Sequence, residues 1–314
     1  MEKSEITPKP KIFIAVLHWN NAKDTIECIS SLRLLRYPNF AVVIVDNGST
    51  DGSLKILQTQ FPECHFLLNQ TNLGFAEGNN VALRYSLAQG ASFVLLLNND
   101  TTADPFLLDA FMEAASHCPA AAVFGAKIYF YDEPTTLWYA GGGVSKQGRC
   151  FHVGCGASDL DKLYETITPT SYACGCALLI RTNILEKVGY MNPDFFLLWE
   201  EIDWCFRIKK AGYECLFVPK AKVWHKISSS FEGGNRGPLW QYYYWRNRLL
   251  FIRAHHKTTG RIPFFLLFRE MTQIFFLSLS PKNTSSRKKQ RAALCGIIDF
   301  FMKNYGPCKR NAIK

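Results

Sequence analysis

Short runs of buried-strand residues alternate with helical spacings over the first 120 residues of the chain. Residues 12–17, 40–45, 64–68 and 93–97 are apolar at most positions, as strands covered on both faces in the middle of a parallel sheet would be. Between them, residues 24–35, 53–60 and 78–89 are read as helices, the first with apolar positions at Ile26, Ile29, Leu32 and Leu35, and residues 105–116 as a fourth. Connections of about ten or more residues are too long for hairpins and suit crossovers. The pattern therefore predicts an α/β fold with a doubly wound, mostly parallel sheet flanked by helices. After residue 120 it loosens. Residues 123–131 and 177–181 read as strands, 141–156 as glycine-rich hairpins or an irregular loop, and 183–188 as a short helix. Residues 195–198 lead into a helix that runs to 211; 215–218 and 222–225 read as two extended segments, and the chain is helical from Leu239 onward. Residues 1–10 form a polar arm, 11–235 an α/β body and 236–314 a helical extension.

Charge separates the last two parts. Residues 1–235 carry 20 Lys and Arg against 24 Asp and Glu, whereas 236–314 carry 16 Lys and Arg against only Glu270 and Asp299. The extension is also rich in Phe, Ile and Leu between Ile262 and Leu277, but Arg269 and Glu270 keep each half short of the roughly 20 apolar residues of a bilayer span. Basic residues flanking apolar helices match a segment lying on an anionic membrane surface. The stretch 264–268 is too apolar for a solvated phosphate-tracking surface, which argues against nucleic acid as the partner of this extension. The eleven cysteines form no C-x-x-C pairs, and Cys174 and Cys176 lack a second pair to complete a zinc set, so they read as buried free thiols in a reducing compartment. The polar start at Met1–Glu5 lacks the core of a secretory leader, which points to the cytoplasm.

Four segments and one histidine carry candidate chemistry. Phe93–Asp100 is an apolar strand delivering Asn98, Asn99 and Asp100 to the edge where open parallel sheets bind ligands. A single carboxylate there, without a neighbouring cation, suits a divalent metal holding a phosphate. Asp46-Asn47-Gly48 ends another strand in a turn; its carboxylate can accept the N3–H of uracil or thymine, a donor that cytosine lacks. Asn72–Asn80, with Gly74 and Gly78, enters a helix whose N-terminus favours a diphosphate, though it is neither a P-loop nor a dinucleotide turn. Glu200, Glu201 and Asp203 crowd one helix start, where mutual repulsion raises a carboxyl pKa toward that of a general base. Arg207, one turn on, is placed to tether Asp203, and Trp199 and Trp204 offer flat faces on which a sugar ring could pack. His225 is a second metal ligand only if Asp100 is the first.

In order and spacing these segments, with Cys-Gly-Cys-Ala-Leu-Leu-Ile-Arg, Trp-His and Arg-Asn-Arg further on, resemble the family 2 inverting glycosyltransferases of GT-A fold, in their bacterial rhamnosyltransferase-like branch. The resemblance covers residues 11–253 and implies a donor half over about 11–120 and an acceptor half over 121–235. It implies that Asp46, Asn47, Gly48, Asn72, Gly74, Asn79, Asn98 and Asn99 bind the nucleotide-sugar, that Asp100 and His225 hold the metal, and that the base is among Glu201, Glu200 and Asp203. Glu201 stands where the family usually has Asp. The implied reaction moves a sugar from a UDP- or dTDP-sugar to a hydroxyl of a saccharide or polyprenyl-linked acceptor, with manganese preferred over magnesium because one ligand is an imidazole. The implied place is the inner face of the plasma membrane, in cell-surface polysaccharide synthesis. Two other readings remain: a sugar-nucleotide nucleotidyltransferase, for which Asn47–Gly52 lacks the lysines or arginines a triphosphate requires, and an inactive sugar- or nucleic-acid-binding protein on the same fold.

Overall fold

The computed structural model describes residues 9–226, 237–256, 264–279, 284–310 and 313. Most of the N-terminal arm, the 235/236 boundary and Ile262-Pro263 of the apolar stretch lie outside the described residues.

The first half alternates as the apolar runs require: β1 (Ile12–His18), α1 (Ala22–Leu32), β2 (Phe40–Asp46), α2 (Ser53–Gln60), β3 (His65–Leu68), α3 (Gly74–Ala88) and β4 (Phe93–Asn98). There follow β5 (Thr101–Ala103), α4 (Leu107–His117), β6 (Ala121–Phe130), β7 (Leu137–Tyr139), β8 (Gly142–Val144), β9 (Cys150–His152), β10 (Thr168–Pro169), β11 (Ala177–Arg181), α5 (Leu185–Val188), α6 (Glu200–Lys210) and β12 (Glu214–His225). The C-terminal part is α7 (Pro238–His255), α8 (Phe264–Leu279) and α9 (Thr284–Phe301).

The main sheet runs β10-β12-β6-β11-β4-β1-β2-β3, with β5 on β12 and β7 on β6. β1 pairs in parallel with β2 and β4, as β2 does with β3 and β6 with β12, while β11 runs antiparallel between β4 and β6. The expected mostly parallel sheet is present. Its central strands β1 and β4 are buried almost throughout, which is why both faces had to be apolar. Two expected boundaries shift. The extended segments at 215–218 and 222–225 are one strand, β12, whose register against β6 slips between Val218 and Lys222, around Pro219. α3 begins at Gly74, four residues before the expected start, so the glycine loop is largely the first turn of a helix.

Register places the chemistry. His18 lies opposite Asp46 and Leu17 opposite Asn98, so three strands end together. His225 pairs with Thr101, beside Asp100.

Candidate active site

Asp46 is 3% exposed at the end of β2. Its Oδ2 accepts the Ser49 N–H at 3.2 Å, while Oδ1 is shut from solvent with no partner among the described residues. A buried carboxylate oxygen without a donor is costly, and a ligand N–H would relieve it. The neighbouring His18 is not that partner. Its Nδ1 and Nε2 lie 2.8 Å from Thr25 Oγ1 and Ser53 Oγ respectively. Ser53 gives its own proton to Asp51, so His18 Nε2–H donates to Ser53 and Nδ1 accepts from Thr25. Burial holds this imidazole below its ordinary pKa against the pull of Asp46 and Asp51. His18 thus ties the end of β1 to α1 and to the start of α2 as a neutral ring. Trp19, the next residue, is 49% exposed and is an aromatic surface that the sequence analysis did not single out.

Much of the expected donor-binding set is occupied internally. Asn47 is 2% exposed; its Nδ2 donates to Asn72 Oδ1 and Gly74 O, and its Oδ1 accepts from Asn69 and Leu73. Asn72 Oδ1 also takes the Gly74 N–H at 2.8 Å, and Asn79 Nδ2 donates back to Phe75 O at 2.9 Å. These contacts lock the loops together and occupy the Asn47 amide, the Asn72 oxygen and the Asn79 nitrogen within the protein. The helix start at Gly74 is closed as well. Phe75 and Ala76 donate to Phe196 O at 2.6 and 3.4 Å, so the first N–H groups of α3 are capped by protein. The glycines serve the same closure. A Cβ on Gly74 (φ 79°) would stand 2.4 Å from Phe196 O, and one on Gly48 (φ 76°) 2.8 Å from the Thr71 backbone. The expectation of a diphosphate cradle at this helix is therefore corrected.

Asp100 and His225 do come together. They are 4% and 7% exposed, with Nε2 3.0 Å from Oδ1. The Lys226 N–H donates to Asp100 O at 3.0 Å, which ties the end of β12 to the turn after β4. Lys226 Nζ in turn meets Asp24 and Glu27 of α1 at 2.7 and 2.6 Å. Asn98 Nδ2 is 3.5 Å from His225 Nε2, Asn99 donates to Thr25 at 2.9 Å, and the Trp138 ring centroid lies 4.8 Å from the imidazole. His225 Nδ1 has no partner among the described residues. Adjacent ligands of an octahedral ion at about 2.1 Å stand about 3.0 Å apart, so the pair fits two neighbouring positions on one divalent ion. One oxygen and one imidazole nitrogen suit manganese better than magnesium. No cluster of three or more His, Cys, Asp and Glu able to hold a metal occurs among the described residues, so these two would be the share of ligands they offer.

The glutamates reach the site through a strained turn. Phe196, Leu198 and Trp199 have φ of 61°, 71° and 79°, left-handed values that cost a non-glycine residue about 1–3 kcal/mol each. Helix α7 holds this turn. Asn247 Nδ2 lies 2.7, 2.8 and 2.8 Å from the carbonyls of Phe195, Leu197 and Leu198, and Arg246 donates to those of Asp194, Phe195 and Gly306. Both side chains are fully buried. This is the structural role of the Arg-Asn-Arg piece, to which the sequence analysis assigned none; its signal was charge inside an otherwise aromatic, apolar helix.

At the start of α6 the three carboxylates separate by environment. Asp203 Oδ2 takes Arg207 Nε at 2.9 Å, the expected tether, and Oδ1 takes His255 Nε2 at 2.8 Å. With both oxygens engaged at 3% exposure, Asp203 is a structural anchor and drops out as a base. Asp203→Asn leaves Arg207 and His255 poorly paired and is expected to cost about 3 kcal/mol, short of the full penalty for a buried pair because Arg207 reaches solvent; thermal unfolding measures it. Burial pushes Glu200 well up, with the Glu201 charge adding to it. Burial pushes Glu201 up to about 6, restrained by nearby backbone N–H groups including those of Ile202 and Gly175. The Oε2 atoms of both have no partner among the described residues.

The two tryptophans do not form an acceptor platform. Trp199 is 2% exposed against the rings of Tyr244 and Phe251, and Trp204 is wholly buried with Nε1 donating to Gly189 O at 2.9 Å. Both are core residues, because the helix turns those positions inward. Phe151, on the β8–β9 hairpin, is an exposed aromatic.

One turn joins the acids. Asn98 N–H donates to Cys176 O at 2.9 Å, and Cys176 sits near enough for the Asp100 charge to add to the burial that raises its thiol. On the other side, the Glu201 charge adds to the burial that raises Cys174, and a Cβ on Gly175 would stand 3.7 Å from Glu201 Cβ. The Cys174-Gly175-Cys176 turn thus lies between the Asp100–His225 pair and the glutamates. Its cysteines are buried free thiols, as expected.

The profile of the family described as "Glycosyl transferase family 2" matches residues 13–189. Among curated proteins the chain is 26% identical over 248 residues to an N-acetylglucosaminyl-diphospho-decaprenol L-rhamnosyltransferase of Mycobacterium tuberculosis, covering 74% of this chain and 76% of that one. It is 26% identical over 248 residues to the dTDP-rhamnosyl transferase RfbF of Shigella flexneri, covering 76% and 77%. Among solved structures it resembles GalNAc-T7 with UDP, GalNAc and Mn2+ (TM-score 0.63, 13% identity), covering 94% of this chain but only 56% of that one. It also resembles the mannosyltransferase PcManGT from Pyrobaculum calidifontis with GDP-Man and Mn2+ (TM-score 0.55, 15% identity), covering 95% and 88%. These likenesses establish the GT-A fold.

Proposed function

The chain belongs to glycosyl transferase family 2, and from that premise we propose that it moves L-rhamnose or a similar sugar from a dTDP- or UDP-linked donor to a hydroxyl of a lipid-linked saccharide, with inversion, in cell-surface polysaccharide synthesis. The relatives' names support the sugar and the acceptor class. The observation that carries the reading is the Cys174–Cys176 turn, which has the Asp100–His225 pair on one flank and Glu201 on the other.

In this reading Asp46 Oδ1 accepts the N3–H of the uracil or thymine, and the exposed ring of Trp19 lies along the base. Asp100 and His225 would hold a divalent ion beside the donor diphosphate, manganese before magnesium. When bound, that ion supplies Lewis-acid neutralisation of the leaving diphosphate. Glu201 takes the acceptor hydroxyl proton as the oxygen attacks the anomeric carbon in line, from the face opposite the diphosphate. Glu200 stays protonated beside it, so the pair does not carry two buried charges. The enzyme works at the cytoplasmic face of the membrane, where a polyprenyl-linked acceptor presents its saccharide.

The test is a donor panel. dTDP and UDP are expected to raise the melting temperature in manganese and CDP to raise it less, because cytosine N3 carries no hydrogen for Asp46 to accept. Asp46→Ala should weaken dTDP about tenfold to a hundredfold, the worth of one hydrogen bond to a charged group. Release of dTDP from dTDP-rhamnose only when a polyprenyl-diphosphate-linked saccharide is added would establish transfer. Equal stabilisation by CDP would remove Asp46 from the base site.

A further inference from the structure

Helix α8 is apolar on two sides, and among the described residues only one is covered. Leu267, Met271 and Ile274 pack inward with Leu249, Ala293 and Ile297 of α7 and α9. Facing outward, Phe265, Phe268, Phe276 and Leu279 are 71, 54, 68 and 61% exposed. A contiguous apolar face of this kind marks an interaction surface.

Charge decides what covers it. The only two carboxylate side chains of residues 236–314 are Glu270 and Asp299. Neither is left facing outward: Glu270 binds Arg248 at 2.7 Å and also Arg149, and Asp299 binds Arg310 at 2.6 Å and Tyr242 at 2.8 Å. What remains is positive. Arg269 is exposed on α8, and Arg287, Lys288, Lys289 and Arg291 stand in the first two turns of α9. A second copy of the chain would bring the same positive charge to the contact and be repelled. An anionic bilayer answers both features, with acyl chains for the phenylalanines and headgroups for the cations. At sixteen residues α8 is about 24 Å long, short of a hydrocarbon core of about 30 Å, and no helix among the described residues is long and apolar enough to cross a membrane.

We propose that the outer face of α8, with the basic start of α9, docks in the plane of an anionic membrane surface and turns the acceptor side of the enzyme toward the lipid. The orientation follows from Glu270. Its partner Arg248 also holds the turn of the β8–β9 hairpin, with Nε on Gly148 O at 2.9 Å and Nη2 on Gln147 O at 2.7 Å. That hairpin carries His152, whose ring stands 4.6 Å from Trp138, itself against His225, and Cys150, whose thiol burial raises to about 12 with help from the Glu201 charge. The docking helix and the catalytic cleft are therefore one hairpin apart. The orientation rests on the lipid-linked acceptor reading; the docking itself does not.

Flotation with phosphatidylglycerol-containing vesicles tests it, alongside vesicles of phosphatidylcholine alone. The wild-type protein is expected to float with the anionic vesicles at low salt and to lose about tenfold or more of that binding in 1 M salt or on the neutral vesicles. Phe265→Glu/Phe276→Glu should abolish flotation, keep the wild-type melting temperature and the rate with a water-soluble acceptor, and lose about tenfold in turnover of acceptor embedded in vesicles. Wild-type protein that does not float, a double variant that floats normally, or a wild-type dimer that the double variant dissociates would each overturn the docking. Equal losses on soluble and embedded acceptor would overturn the orientation. Flotation as expected without any donor turnover would instead fault the sugar-transfer reading and leave docking intact.

Discussion

Glu201→Gln is expected to lower kcat about a thousandfold while leaving the Kd for dTDP in manganese nearly unchanged. The amide keeps the size and the neighbours of the carboxylate but cannot accept the hydroxyl proton, and proton transfer by a placed base is worth about 10²–10⁴ in rate. The donor is held elsewhere, at Asp46 and at the Asp100–His225 pair. The same residue sets a pH limb. The base acts deprotonated, and burial has raised Glu201 to about 6, so kcat/KM should climb with pH through about 6 and level above it. Glu201→Gln should erase that limb. Glu200→Gln is the control: burial and the neighbouring charge keep Glu200 protonated, so an amide there mimics its working form and turnover should persist. If Glu200→Gln stops the reaction and Glu201→Gln does not, the base is Glu200.

The sheet and the two acids at its edge could be read from the sequence because each depends on residues close along the chain. Apolar runs of five or six residues between helical spacings suit strands covered on both faces, and strands in register end together, which brings Asp46 and Asn98 beside the end of β1. The tether of Asp203 by Arg207 was legible for the same reason, as an i,i+4 pair. What the sequence hid depends on partners far away. Asp203 also binds His255, which removes it from catalysis. The first turn of α3 is capped by Phe196, so the glycine loop closes on protein instead of on phosphate. Trp199 and Trp204 flank the glutamates along the chain, but side-chain direction on α6 and the left-handed turn before it send both into the core. The turn itself is shaped by Arg246 and Asn247, whose place in an aromatic helix gave no hint of the carbonyls they would meet.

Asp100→Asn tests the other half of the site, and its expected effect is as large. The mutation keeps the Asp100 carbonyl that takes the Lys226 N–H, so β12 stays docked and the melting temperature without ligand should move little. It exchanges a charged oxygen ligand for a neutral amide. Charge stabilisation at a phosphoryl oxygen by a bound divalent ion is worth several kcal/mol, so kcat should fall about a thousandfold. The diagnostic readout is independent of turnover: manganese should add to the dTDP-induced melting shift of the wild-type protein and add nothing to that of Asp100→Asn. His225→Ala separates affinity from selectivity. With the imidazole gone only oxygen ligands remain, and the preference for manganese over magnesium should shrink even if binding weakens for both. A variant lacking the Asp100 carboxylate that still shows the full manganese increment would mean that the ion, if any, is held elsewhere, and the 3.0 Å contact between Asp100 and His225 would then be a hydrogen bond closing β12 onto the sheet edge.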